Sequence, residues 1–282
     1  MKNRKIYGVV VLYNPNISET INNINSYVSE LDKLYIIDNS EKENYTRLEN
    51  YITINKNIEY TWLGENKGIA KALNVGKNKA INEEADYFLT IDQDSSFKNN
   101  FREMINWLIN NELLLEKVAI ISPIHNLKEK NIKTKNKLEE KEIVMTSGNI
   151  LNLNLIKNIG DFNEDFFIDE VDHEFCYRIR EKGYKILCLN DIELNHKLGN
   201  LKNYKFFSVT NHNYIRRYYI TRNRLYMIKR FPELKKKYII KNFSDFFKII
   251  LFEKNKIKKI KYFFKGIDDF YKNKKGKLVE GV

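Results

Sequence analysis

The chain has 282 residues, 43% hydrophobic and 30% charged, enough for one large α/β domain with an appendage. Two cysteines, Cys176 and Cys188, exclude a disulfide framework, and no stretch reaches the roughly 18 consecutive apolar residues of a membrane span. The net charge of +12 is uneven: residues 229–282 hold 17 Lys and Arg against 6 Asp and Glu, whereas residues 1–228 hold 32 against 31. A nearly neutral body (1–228) and a basic tail (229–282) are therefore expected to be two functional parts, the tail meeting something anionic. The short apolar run after residues 1–5 is broken by Asn14-Pro15, which does not suit a signal peptide, so the cytoplasm is the expected compartment.

Residues 6–13 are a β-branched apolar run stopped by Asn14-Pro15-Asn16, expected to be a central parallel strand. Ser18 is the expected cap of a helix reaching about Leu31, with Ile21, Ile24, Tyr27, Val28 and Leu31 on its apolar face. Residues 34–37 form a second strand ending at Asp38-Asn39-Ser40, and residues 58–62 a third. Gly64-Glu65-Asn66-Lys67-Gly68 opens a helix through about Asn82. Residues 87–91 read as a buried fourth strand running into Asp92-Gln93-Asp94-Ser95-Ser96, residues 101–110 as a helix, and 118–122 as a fifth strand. Alternating strands and helices imply a parallel sheet with helices on both faces. Ligands of such sheets lie beyond the carboxyl ends of the strands, which gathers Asn14, Asp38, Asn39, the 64–68 loop and residues 92–95 at one edge. Residues 126–142, rich in Lys, Glu and Asn, read as a flexible loop or irregular hairpin.

Asp92 and Asp94 are poorly placed for a core and well placed to hold a divalent cation against a diphosphate. Mg²⁺ and Mn²⁺ are hard cations that take oxygen ligands and leave positions for phosphate oxygens. A surface turn gives the same pair without a metal. Downstream, Asp169, Asp172 and, less directly, Arg178 cluster around the start of a helix running from Asp172 to near Gly183. Two readings stand: these carboxylates cap the helix, or one is a general base that accepts a hydroxyl proton. His196 follows a strand-like 185–189 segment, either as an ordinary surface histidine or as a third metal ligand. In the tail, Ile239, Ile240, Phe243, Phe246, Phe247, Ile250 and Leu251 recur at helical spacing, flanked by Lys235, Lys236, Lys237, Lys241 and Lys248. A second basic cluster at 254–261 precedes Tyr262-Phe263-Phe264. Such a helix lies in the interface of an anionic leaflet, packs on its own domain, or makes a homodimer contact.

In this order the motifs resemble the inverting glycosyltransferases of family 2, and among them the bacterial rhamnosyltransferases. The resemblance covers roughly residues 6–226. It rests on Val10-Val11-Leu12-Tyr13-Asn14-Pro15, Ile37-Asp38-Asn39-Ser40, Gly64-Glu65-Asn66-Lys67-Gly68, Asp92-Gln93-Asp94-Ser95 and Thr146-Ser147-Gly148-Asn149. It continues through Phe167-Ile168-Asp169-Glu170-Val171-Asp172-His173-Glu174, His196-Lys197-Leu198-Gly199 and Arg222-Asn223-Arg224. The fold it implies is the GT-A (Rossmann-like) α/β fold, a mostly parallel sheet flanked by helices, here with a basic helical C-terminal extension.

The resemblance implies site roles at matching positions. Asp38 would recognise a pyrimidine base, with Asn14, Asn39, Asn66, Gly68 and Asp92 lining the donor nucleotide. Asp92 and Asp94 would hold Mg²⁺ or Mn²⁺, with His196 as a further ligand. Asp172 would be the base. Many relatives carry Glu-Asp there and this chain has Val171-Asp172, which leaves Asp169 as a rival or helper. Ser147, Gly148 and Arg178 would lie on the acceptor side. The implied reaction moves a sugar, rhamnose from a dTDP donor being favoured, to a glycan or polyprenyl-linked acceptor in surface polysaccharide synthesis. UDP-linked galactose, glucose or their N-acetyl forms stand as alternatives. The implied place is the cytoplasm or the inner face of the cell membrane. A sugar-phosphate nucleotidyltransferase would need a glycine-rich loop after the first strand, where Tyr13-Asn14-Pro15-Asn16 stands. A nucleic-acid-binding protein would explain the basic tail but not the two acidic motifs, so no nucleic acid is expected.

Overall fold

The computed structural model describes residues 4–98, 100–126, 136–196, 202–203, 208–209 and 212–279. Strands β1 (Ile6–Leu12), β2 (Lys33–Asp38), β3 (Ile58–Trp62) and β4 (Tyr87–Asp92) alternate with helices α1 (Ile17–Ile24), α2 (Tyr45–Ile54) and α3 (Ile69–Asn82). Then come β5 (Ser95–Phe97), α4 (Phe101–Asn110), β6 (Val118–Asn126), β7 (Leu138–Glu140), β8 (Asn149–Asn152), α5 (Leu153–Ile156), α6 (Val171–Glu181) and β9 (Lys185–His196). Three long helices follow: α7 (Tyr214–Arg230), α8 (Lys235–Phe252) and α9 (Lys256–Tyr271).

The main sheet has the order β3-β2-β1-β4-β8-β6-β9-β5, with β7 on β9. β3, β2, β1 and β4 are parallel. Every residue of β1 is buried, as a central parallel strand requires. Beyond β4 the sheet is mixed. β8 runs antiparallel between β4 and β6, β6 and β9 are parallel, and β5 and β7 run antiparallel to β9. The expected α/β sheet flanked by helices is present. Strands β5, β7 and β8 are four residues or fewer, too short to show an alternation in the sequence. Of the 126–142 segment, residues 127–135 lie outside the described residues, and β7 pairs with β9.

The first helix differs from its expected form. Asn16, not Ser18, is the cap, and the helix ends at Ile24 rather than near Leu31. The Ser26 hydroxyl donates to the carbonyl of Asn23 at 2.6 Å, a local bond that competes with helix continuation. Ile24, Tyr27, Val28 and Leu31 are nonetheless all buried, so the apolar face survives as a helix followed by a short 3₁₀ turn.

Chain contacts divide the molecule into two compact units. One is Met1–Phe162 with Phe175–Lys197, the other Asn163–Glu174 with Leu198–Val282. The division expected after residue 228 falls within α7. In the second unit Gly266 of α9 lies against α7: an added Cβ would meet the Tyr218 carbonyl oxygen at 2.7 Å. The basic tail is two helices, separated where Asn255 takes a left-handed φ of 55°. Among the described residues no helix is long and apolar enough to cross a membrane.

In the first unit, α3 packs so closely on β1 that a Cβ at Gly76 would lie 2.7 Å from Val9 Cγ2. Alanine in a helix interior gains roughly 0.5–1 kcal/mol over glycine, whereas overpacking a tight core costs about 1–3 kcal/mol. Val9 is fully buried and has nowhere to retreat. Gly76→Ala is therefore expected to lower the thermal midpoint, and an unchanged or higher midpoint would show that the α3–β1 contact is looser than described.

Candidate active site

The strand ends of the first unit gather one cluster of candidate residues. Parallel register sets Asp38 opposite Leu12 and Asp92 opposite Val11, so the ends of β2 and β4 flank the end of β1. Asp38 is fully buried. Its carboxylate accepts the N–H groups of Ser40 (3.1 Å) and Asn44 (2.9 Å), the Asn44 side-chain amide (3.0 Å) and the Tyr60 hydroxyl (2.5 Å). It is thereby committed to ordering the 39–44 loop. Asn39 links that loop to the turn before α3: its amide donates to Asn66 Oδ1 (3.1 Å), and its own Oδ1 accepts the Lys67 N–H (2.7 Å). Asn66 Oδ1 also accepts the N–H of Gly68, whose φ of 88° suits glycine and turns the chain into α3. Asn14 is exposed, at φ 46°, with its N–H on the Ser40 hydroxyl (2.8 Å).

The Asp-Gln-Asp turn is held from both sides. The Gln93 side chain accepts the Tyr13 N–H (2.8 Å) and donates to the Tyr13 carbonyl (3.1 Å). The Ser147 hydroxyl accepts the N–H of Asp92 (3.0 Å) and donates to the Ser95 hydroxyl (2.7 Å). Ser147 is 1% exposed. Gly148, at φ 82°, is packed so that a Cβ would lie 2.8 Å from Leu194 Cδ2 and 2.9 Å from Pro123 Cγ. Both residues, expected on the acceptor side, are buried, and the Ser147 hydroxyl braces the acidic turn. The Arg178 guanidinium donates to the carbonyls of Ile159 (2.8 Å) and Asp161 (2.6 Å).

Asp92 and Asp94 are both half-buried, one ending β4 and the other in the turn into β5. Among the described residues, no cluster of three or more His, Cys, Asp and Glu side chains is gathered for a metal ion. In the β5–β9 ladder Ser95 pairs with His196, so the backbone of His196 stands opposite the residue after Asp94. The side chain of His196 lies outside the described residues. Two carboxylates on one turn fit a hard cation that takes its remaining ligands from water and phosphate.

The second unit carries the other acidic cluster on strained backbone. Phe167 has φ 61° and ψ −60°, and the Ile168 N–H donates to the Phe166 carbonyl at 2.7 Å, forming a tight γ-turn of the disfavoured hand. Asp169 and Glu170 follow at φ 62° and 64°. Such conformations cost on the order of 1–3 kcal/mol each and persist only when surroundings enforce them. Here α7 enforces them. The buried Asn223 amide donates to the carbonyls of Phe166 (2.8 Å), Ile168 (2.7 Å) and Asp169 (3.0 Å). Arg222, also buried, donates to the carbonyls of Asp165 (3.1 Å) and Gly276 (2.9 Å) and lies over the rings of Tyr218 and Tyr219.

The three carboxylates are placed in different electrostatic settings. Burial pushes Asp169 up, and the two-point pair with Arg216 (2.9 and 3.0 Å) only partly offsets it. Burial also works against ionised Glu170, but the His173 ring (2.6 Å), the Tyr238 hydroxyl (2.6 Å) and Arg224 (3.3 Å) outweigh it and hold the group at about 2. Asp172 is raised, first by burial and then by the Glu170 charge, despite nearby His173. Its Oδ1 accepts the N–H of His173 (2.8 Å), and among the described residues it has no ion pair with Lys or Arg. Of the three, Asp172 combines a raised proton affinity with freedom from a cationic clamp, which is what a general base needs.

The sequence pattern of glycosyl transferase family 2 matches residues 9–169, more than half of the chain. The chain belongs to that family. It is 28% identical over 246 residues to the dTDP-rhamnosyl transferase RfbF of Shigella flexneri, covering 81% of each chain. Among solved structures, GalNAc-T7 with UDP, GalNAc and Mn²⁺ has a TM-score of 0.58 at 13% identity, over 70% of this chain and 44% of that one. TarS 1-349 of S. aureus with UDP-GlcNAc has a TM-score of 0.57 at 16% identity, over 96% of this chain and 81% of that one. These two likenesses are of fold, and they match the GT-A expectation.

Several residues that hold these two clusters could not be picked out in the sequence. Gln93 sits inside the acidic motif, yet its two bonds to Tyr13 link positions 80 apart. Arg216 and Tyr238, which occupy Asp169 and Glu170, carry no local signal. Asn223 belongs to a recognisable Arg-Asn-Arg triplet, but its three carbonyl partners do not follow from the triplet.

Two outcomes are expected. Asn223→Ala leaves three strained carbonyls without their donor, at a cost of about 1–3 kcal/mol. It should reduce turnover while calorimetric nucleotide affinity is retained, and unchanged turnover in a folded variant would detach the clamp from function. Glu170, held at about 2 against an ordinary 4.5, contributes stability that is full above about 4.5 and lost as pH falls through about 2. His173, raised from 6.5 by Glu170 and Asp172 although burial opposes it, contributes fully below 6.5 and loses its share as pH rises through its folded value. Glu170→Gln should therefore flatten the acid limb of stability and cost about 3 kcal/mol near neutral pH. Denaturant titration at several pH values measures both.

Proposed function

We propose that the protein is an inverting rhamnosyltransferase that moves rhamnose from a dTDP donor to a hydroxyl of a glycan or polyprenyl-linked acceptor. The pathway is bacterial surface polysaccharide synthesis, and the reaction takes place in the cytoplasm. The observation that carries the catalytic part is Asp172, raised by burial and without a clamping cation at the start of α6. The rhamnosyl part is supported by the dTDP-rhamnosyl transferase relative. Residues 1–228 supply the transferase in this reading, and residues 229–282 the basic helical extension.

Asn14, Asn39, Asn66 and Gly68 line the donor nucleotide, and Asp38 acts on the base through the loop that it orders. The start of α3 offers the positive end of its helix dipole to phosphate. Asp92, Asp94 and His196 would hold Mg²⁺ or Mn²⁺, which when bound neutralises charge on the departing diphosphate. Asp172 accepts the proton of the acceptor hydroxyl. That oxygen forms its bond to the anomeric carbon from the face opposite the leaving group. The carbon–oxygen bond to the diphosphate breaks, and the electron pair leaves with the nucleoside diphosphate. Asp169, tied to Arg216, is a helper that fixes the segment rather than a second base.

Asp172→Asn should retain donor binding and lose about 10² to 10⁴ in turnover. Normal turnover would remove Asp172 from the reaction. In the intact protein, turnover should fall as pH drops through the Asp172 value, which burial places above the ordinary 3.8. An acid limb at or below that of a solvated aspartate would contradict the assignment. A donor panel of dTDP-rhamnose and the UDP-linked hexoses decides the sugar: turnover with UDP-sugars alone would replace rhamnose and leave the catalytic roles standing.

A further inference from the structure

The outward side of α8 is its most apolar side. Ile239 (37% exposed), Ile240 (57%), Phe243 (63%), Phe247 (57%), Ile250 (36%) and Leu251 (61%) all stand in solvent. At the α-helical repeat they fall within one arc of about 120°. The side turned to the rest of the second unit is the more polar one. There Tyr238 donates to Glu170, while Asn242 and Asp245 accept from Arg224, with Ile249 fully buried beside them. A helix that only served the fold would bury the Phe and Ile stripe and expose the Asn and Asp. The stripe is therefore not the face that packs on its own unit, one of the three arrangements expected from the sequence.

The charge around the stripe has one sign. Lys236 and Lys237 are exposed, and Lys241 and Lys248 flank the same side. The one acidic residue of α8, Asp245, is paired with Arg224 and Arg217. Glu253, just beyond the helix, is fully buried with Arg217 and Lys259. Aromatic contacts carry the patch onto α9, where Phe246 touches Phe247 and the exposed Phe264, beside exposed Lys261.

We infer that this face of α8 docks on an anionic lipid surface, with the helix lying in the plane of the interface. An apolar stripe bordered by lysines matches both layers of such a surface, acyl chains below and negative headgroups around. A second copy of the chain would bring two lysine-rimmed faces together and is opposed by like-charge repulsion. A single-stranded nucleic acid would use aromatic stacking, whereas Ile239, Ile240, Ile250 and Leu251 offer aliphatic surface. The inference does not depend on the identity of the donor sugar or on Asp172.

The test is co-sedimentation of the full chain with two kinds of vesicle, phosphatidylcholine alone and phosphatidylcholine with phosphatidylglycerol in equal parts. The variant is the double substitution Phe243→Asn, Phe247→Asn. Both positions are exposed, so its thermal midpoint should match that of the unsubstituted chain. The expected result is binding to the anionic vesicles only. Binding should weaken between about 0.1 M and about 1 M salt, as the screening length falls from ~10 Å to ~3 Å. The double variant should bind about tenfold or more weaker, the scale of withdrawing two large apolar side chains from an apolar phase. No binding of the unsubstituted chain to anionic vesicles, or equal binding by the folded double variant, would overturn the inference. So would a dimer in sedimentation velocity that the double variant dissociates, or a salt-sensitive shift of single-stranded RNA by the chain that binds no vesicles.

Discussion

Three carboxylates within four residues, Asp169, Glu170 and Asp172, crowd one poorly solvated place, and each survives there only with its own arrangement of partners. Arg216 takes Asp169, while His173, Tyr238 and Arg224 take Glu170. Asp172 is left with a backbone N–H and a raised proton affinity. Coulomb repulsion among unpartnered carboxylates at this spacing would force at least one to stay protonated. Apart from His173, the partners come from α7 and α8, so helices distant in sequence give three similar side chains different proton affinities. The same dependence holds for the backbone. Left-handed Phe167, Asp169 and Glu170 are tolerable because Asn223 and Arg222 bond the carbonyls around them.

The donor edge is organised in a different way. There the strands supply position and the side chains supply bracing. Register alone brings Asp38 and Asp92 to either side of the end of β1. Bonds from Gln93 to Tyr13 and from Asp92 to Ser147 then fix the acidic turn by its backbone and by its middle residue. Neither bond uses the carboxylate of Asp92 or Asp94. Asp38 shows the opposite solution, a carboxylate engaged by its own loop and by Tyr60 of β3.

What could be read in the sequence was local. The strand ends at Asp38 and Asp92 were legible because apolar β-branched runs stop there, and residues 101–110 were legible as a helix. The apolar face of the first helix was right although the helix itself breaks at Ile24, since burial follows the side-chain pattern and not the hydrogen-bond ladder. Three kinds of feature were not legible. Short strands such as β8 have too few residues to show a period. The turn at Phe167–Glu170 has no glycine to announce its positive φ values. Ser147 looks like an acceptor-side residue in its motif, but its hydroxyl is buried against Asp92 and Ser95 more than fifty residues away. The tail was legible as a basic amphipathic stretch, but only the structure shows that its apolar stripe faces outward.

The central claim is that a nucleotide-diphosphate sugar binds at the carboxyl edge of β1, β2 and β4 with the help of a divalent cation. Calorimetric titration of the intact protein with dTDP and with UDP, each with and without Mn²⁺, tests it most directly. The expected result is binding that depends on Mn²⁺, with dTDP the tighter of the two. Absence of binding by either nucleotide, in protein shown to be folded, would contradict the claim.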